Sequence, residues 1–115
     1  MDDNRIWLFD TTLRDGGQTR GVDFSQADKI AIAAALDEIG VDYIEGGWPG
    51  ANPTDDAFFA SPPQTRNARM VAFGMTRRGG RSAANDPGLN AVLDAEVPAT
   101  CLVGKTWDFL SLIHI

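Results

Sequence analysis

The sequence predicts a parallel α/β fold, the N-terminal half of a (β/α)8 barrel, in the order β-α-β-α-β-α-β. Four short apolar runs alternate with three helical segments, the pattern of parallel strands joined by crossover helices. The centres of those runs, Leu8, Tyr43, Ala72 and Leu102, are 35, 29 and 30 residues apart. Eight units in a barrel of roughly 250 residues have a period of about 31. No G-x-G-x-x-G follows the first run, which counts against the doubly wound sheet that shares the alternation.

The elements follow in order. Arg5–Asp10 (RIWLFD) is an apolar run stopped by Thr11, Thr12 and Gly16-Gly17, as a buried strand ends in a functional loop. Ser25 stands three residues before Asp28, a variant of the capping box. Ile32, Leu36 and Ile39 then fall at i, i+4 and i+7, one apolar stripe, before the stop at Gly40. This predicts a helix over about Ser25–Ile39. Val41–Glu45 (VDYIE) is the second strand. Asn52-Pro53 opens a short helix carrying Phe58 and Phe59, ended by Pro62-Pro63. Met70–Gly74 is the third strand, Asp86-Pro87 opens a third helix through Leu93, and Ala99–Val103 is the fourth strand.

Composition narrows the function classes. The 115 residues carry 10 Lys+Arg against 16 Asp+Glu, a formal charge of −6, so nothing here would neutralise a phosphate lattice. This argues against nucleic-acid and anionic-membrane binding. Arg66, Arg69, Arg77, Arg78 and Arg81 cluster, and a solvated loop explains them. One cysteine, Cys101, excludes an internal disulfide and a Cys-based zinc site. The acidic start Met-Asp-Asp-Asn lacks the layout of a signal peptide, and no apolar run reaches the roughly 18 residues of a membrane span. A cytoplasmic protein is the expectation. With His114 the only histidine, no Cys/His or Ser/His dyad can be built.

In parallel α/β folds the chemistry gathers at the carboxyl ends of the strands. Arg14-Asp15 places a cation beside a carboxylate after the first strand. The guanidinium can clamp or polarise a carbonyl or carboxylate, and the carboxylate can hold a divalent metal; an ordinary ion pair tying down a loop is the competing reading. Glu45 ends an apolar strand and either orients Arg14, handles a proton or serves as a buried structural partner. Thr76 and Arg77 follow the third strand, with a contact at the same mouth and a surface position both open. Cys101 reads as a small buried hydrophobe. Trp48 stands apart from Trp7 and Trp107 because it lies in the glycine-rich loop beside Glu45.

These residues resemble a known family. Asp10–Gln18 (DTTLRDGGQ) is similar to the opening signature of the acetyl-CoA-dependent 2-oxo acid synthases: isopropylmalate, homocitrate and citramalate synthases. With 3-hydroxy-3-methylglutaryl-CoA lyase they form a metal-dependent TIM-barrel superfamily. Tyr43–Pro53 (YIEGGWPGANP), Ala72–Arg78 (AFGMTRR) and Val103–Asp108 (VGKTWD) resemble the citramalate synthase branch in order and spacing. The resemblance implies that Arg14 is catalytic, binding the 2-oxo acid and stabilising an alkoxide. It also implies that Glu45 is an active-site glutamate, that Asp15 is a ligand of a divalent metal (Mg, Mn or Zn), and that Gln18 lies near metal and substrate. Thr76 is the further candidate substrate contact. The implied chemistry is a Claisen-type condensation of pyruvate with acetyl-CoA, in branched-chain amino-acid (isoleucine) biosynthesis, by a homodimeric enzyme. A 2-isopropylmalate or homocitrate synthase, or a superfamily lyase or aldolase, is the alternative, and a non-catalytic half-barrel a third reading.

The family's His-x-His metal ligands have no counterpart in this sequence. The chain is therefore expected to be an N-terminal portion of a longer enzyme, inactive by itself. Residues 1–108 form a partial barrel, and Phe109–Ile115 an atypical tail of foreign or truncation-derived sequence.

Overall fold

A computed structural model of the chain describes residues 4–106. It contains β1 (Phe9–Asp10), α1 (Gln26–Ile39), β2 (Tyr43–Gly47), α2 (Pro53–Ala60), β3 (Arg69–Met75), α3 (Pro87–Asp94) and β4 (Ala99–Val103), with 3-10 turns at Gly16–Gln18 and Ala83–Asn85. Trp107, Asp108, His114 and the expected tail lie outside the described residues.

All three strand pairs are parallel, and the spatial order is β1-β2-β3-β4. Sequential order with no reversal is what a barrel wall requires; a doubly wound sheet turns back beside its first strand. The three helices α1, α2 and α3 pack against one face of the sheet, as crossovers of one hand between successive neighbours require. That face holds the core: Ile44, Met70 and Ala72 from the sheet pack with Ala33, Phe58, Phe59, Val92 and Leu13. The opposite face carries Glu45, Val71, Phe73, Ala99 and Cys101, since Glu45 pairs with Val71, Val71 with Ala99 and Phe73 with Cys101 and side chains alternate along a strand.

The helix ends follow the sequence. Ser25 and Asp28 form a reciprocal capping box, and Gly40 closes α1 in the left-handed conformation at φ 92°. Asn52 and Asp86 cap α2 and α3 by accepting from the backbone N–H of Asp55 and Leu89, each with proline at the first helical turn.

Three expectations are corrected. Of the apolar stripe expected on α1, Ile32 and Leu36 pack against the core, but Ile39 is 76% exposed, and the buried positions are Lys29, Ala33 and Asp37. Helix α1 turns two charged side chains inward because each finds partners there: Lys29 meets Asp55, and Asp37 accepts the backbone N–H groups of Arg66, Asn67 and Ala68. The second strand is shifted to Tyr43–Gly47 because Val41 is taken up by the helix cap, its N–H donating to Leu36 O at 3.3 Å. The first strand was expected to be buried over Arg5–Asp10, yet only Phe9 and Asp10 join the ladder, and Ile6, Trp7, Leu8 and Phe9 are exposed. Asp42 takes the Leu8 N–H on its side chain at 2.8 Å, ending the ladder there, and among the described residues β1 is an edge strand with no neighbour on its far side.

Candidate functional site

The loop after β1 folds on its own backbone. Asp10 accepts from the N–H and hydroxyl of Thr12 at 2.9 and 3.0 Å. Thr11 O accepts from the N–H groups of Arg14, Asp15 and Gly16, a tight turn that leads into the 3-10 segment. Leu13, 2% exposed, anchors this turn in the core. With Leu13 turned inward, its neighbour Arg14 extends over the open face of the sheet.

There Arg14 meets Glu45. Arg14 Nε donates to Glu45 Oε1 at 2.5 Å, and the guanidinium lies 4.2 Å from the Phe73 ring centroid, a cation–π contact. Glu45 is 1% exposed. It holds this face in regular register, pairing with Val71, and a β-bulge follows it directly: Gly47 pairs with Ala72, leaving Gly46 as the extra residue. Only glycine fits there, because a Cβ would lie 2.6 Å from Phe58 Cε2 and 2.8 Å from Met70 Sδ. Trp48, just beyond, sets its ring edge-on to Phe73 at 5.1 Å.

Arg14 therefore has one side of its fork fixed and the other turned to the mouth. Its Nη1 sits 3.5 Å from both Gln18 Oε1 and Asp15 Oδ1. The Asp15 side chain is 67% exposed, and an ion pair at that distance in water is weak. A cleft of about 270 Å3 opens beside them, with Arg14, Gln18, Lys29, Trp48, Asn52 and Asp55 in its lining. Asp15, Glu45 and Thr76 are not among the residues that line it.

The sequence candidates thus separate. Arg14, Asp15, Gln18 and Glu45 come together. Thr76 is exposed past the end of β3, its N–H donating to Val103 O at 3.3 Å. Arg77 and Arg78 are exposed: the Arg77 guanidinium holds Arg81 O, and the Arg78 N–H donates to Asp86.

Two participants were not legible beforehand. Phe73 supplies the shelf under Arg14, which nothing in a Met-Val-Ala-Phe-Gly strand announces. Cys101 is half-buried rather than buried and lies beside Glu45. Burial pushes its thiol pKa up, and the Glu45 charge and hydrogen bond push it further, while Arg14 acts in the opposite direction. Its position two residues into a strand adjoining the Phe73 strand was the available signal. Among the described residues no group of three or more His, Cys, Asp or Glu side chains is placed to hold a metal ion.

The chain is 48% identical over 106 residues to the (R)-citramalate synthase of Aquifex aeolicus, covering 90% of this chain and 20% of that protein. It is 50% identical over 109 residues to that of Streptomyces coelicolor, covering 92% and 20%. The 2-isopropylmalate synthase of Thiobacillus denitrificans is 36% identical over 113 residues, covering 97% and 20%. The chain thus spans about a fifth of the length of the curated relatives it matches. Residues 5–95 match the family described as HMGL-like, and with that match over most of its length the chain belongs to the HMGL-like family.

Proposed function

We propose that this chain forms part of the active site of an acetyl-CoA-dependent acyltransferase that condenses pyruvate with acetyl-CoA to citramalate and CoA. The observation that supports it most is the Arg14 guanidinium, fixed through Nε by a buried carboxylate and presenting its Nη side to a cleft. In the condensation, the enolate carbon of acetyl-CoA bonds to the ketone carbon of pyruvate, and the carbonyl π electrons move onto oxygen. Hydrolysis of the thioester then releases CoA. Arg14 binds the 2-oxo acid and offsets the charge developing on that oxygen, a contribution worth about 10²–10³ in rate for one well-placed donor. Glu45, with one oxygen on Arg14 and almost no exposure, serves as the group that orients Arg14. Gln18 lies at the same mouth and completes the substrate contact.

A divalent metal belongs to the expected chemistry, and Asp15 is the carboxylate at the mouth. The described residues do not fit a metal site, because such sites take about three or more protein ligands and Asp15 stands without two others. The reaction steps assigned to this chain are therefore those of Arg14, Glu45 and Gln18. A cytoplasmic, homodimeric enzyme of isoleucine biosynthesis is part of the same proposal.

A chimaera tests it. Residues 5–106 would replace the matching segment of the Aquifex aeolicus relative, and CoA release would be followed with pyruvate and with the branched 2-oxo acid whose condensation gives isopropylmalate. Preference for pyruvate supports the proposal. A folded chimaera that prefers the branched acid favours the second reading, an isopropylmalate synthase, which the Thiobacillus denitrificans similarity also supports.

A further inference from the structure

Lys29 is 2% exposed, a rare place for a lysine, and its ammonium has two hydrogen-bond partners there. Nζ donates to Gly46 O at 2.7 Å and to the Asp55 carboxylate, and it stands 5.4 Å from the Phe58 ring centroid. Asp55 in turn accepts from the backbone N–H of Trp48 at 2.9 Å and from Asn52 Nδ2 at 3.1 Å. The pair is packed so closely against β2 that a Cβ on Gly47 would lie 2.7 Å from Asp55 Cγ and 2.8 Å from Lys29 Nζ.

The contacts run on from there to Arg14, along the inner end of the cleft that Lys29, Trp48 and Asp55 help line. Lys29 holds the bulge carbonyl and Asp55 together; Asp55 holds Trp48; the Trp48 ring packs on Phe73; and Phe73 lies under Arg14. We propose that Lys29 is a positioning residue for Arg14, acting through Asp55, Trp48 and Phe73 rather than by touching substrate. The inference rests on the reading of Arg14 as the substrate-binding group and adds the residue that fixes its shelf. A buried pair of this kind is costly to desolvate and contributes more to holding one arrangement than to stability, which is what a binding loop after a β-bulge requires.

The test uses the Arg14 Nε–H as a reporter by nitrogen-15 NMR on the 115-residue chain. In Lys29→Met, hydrogen exchange at Arg14 Nε–H is expected to speed at least tenfold while the core amide of Val71 keeps its rate. Unchanged exchange at Arg14 in the folded variant overturns the proposal. Should Lys29→Met fail to fold, Lys29→Arg, which keeps the charge but not the compact ammonium that Gly46 O and Asp55 hold, is held to the same two outcomes. Pyruvate titration of the chimaera with the Aquifex aeolicus relative separates this inference from the reading it rests on. Shifts at the Arg14 side-chain resonances support that reading and their absence overturns it, while the exchange rates still judge Lys29.

Discussion

Arg14 and Glu45, 31 residues apart in the chain, join through a single Nε–Oε1 hydrogen bond of 2.5 Å in which the arginine side chain is 20% exposed and the glutamate 1%. The two partners are not equivalent. Removing Arg14 leaves a carboxylate in a dry setting, whereas neutralising Glu45 leaves a guanidinium that still reaches water. Arg14→Met is therefore expected to destabilise the fold by about 3–5 kcal/mol and Glu45→Gln by about 1.5–3 kcal/mol. Urea denaturation of both variants checks the order, and the reverse order would contradict the assignment of Glu45 as the buried member.

Cys101 reports on the same carboxylate. Burial and Glu45 together raise its thiol pKa above 9.0, so little thiolate is present near neutral pH and alkylation is slow. Iodoacetamide at pH 8 should modify Cys101 several-fold more slowly than free cysteine. Glu45→Gln should speed the reaction by removing the charge; a variant no faster than the unaltered chain would place Cys101 away from Glu45.

Acid sensitivity follows from three aspartates that bind backbone N–H groups between elements. Asp37 is held below 3.8 first by the N–H of Arg66 and then by that of Ala68, against the opposing effect of burial. Asp42 is lowered chiefly by the Leu8 N–H, and Asp86 by the N–H groups of Arg78 and Leu89. A carboxylate with a depressed folded pKa contributes stability that is present above its unfolded value and lost as pH falls through the folded one. The melting temperature should thus be flat above about pH 5 and fall progressively below pH 3.8. Asp37→Asn should lower it by roughly 4–8 °C at pH 7 and flatten part of the acid limb; an unchanged acid limb would show that Asp37 is not among the groups responsible.

The fold was readable where a residue acts through its own backbone. Ser25, Asn52 and Asp86 cap helices, Gly40 ends one, and the period of the strands gave a barrel wall. What could not be read depends on a partner far along the chain. Lys29 and Asp37 look like the solvent face of α1, and only Asp55 and the 66–68 backbone make them its buried face. The bulge in β2 was not legible either, because the need for glycine at position 46 comes from Phe58 and Met70 packed against it. In the site, Arg14, Asp15 and Glu45 stood out as candidates because they are charged residues at strand ends, whereas Gln18 was indicated only by the family resemblance. Thr76 followed the same logic, but it stands exposed outside the cleft lining.

The apolar run before Asp10 makes a further expectation. Ile6 is 81%, Trp7 56% and Leu8 55% exposed on one edge of the sheet, with Leu102 and Val103 exposed on the other. Unpaired edges with apolar side chains favour association. Sedimentation should show self-association of the chain at micromolar concentration, reduced by Ile6→Lys with Trp7→Lys. A monomer at all concentrations would contradict it.

The central claim is that Arg14, oriented by Glu45, grips the 2-oxo acid through its guanidinium fork. It is tested most directly by Arg14→Lys in the chimaera with the Aquifex aeolicus relative, measuring kcat/KM for pyruvate. Lysine keeps the charge but not the fork, so a fall of about 100-fold or more with folding intact is predicted; a change of less than about threefold would contradict the account.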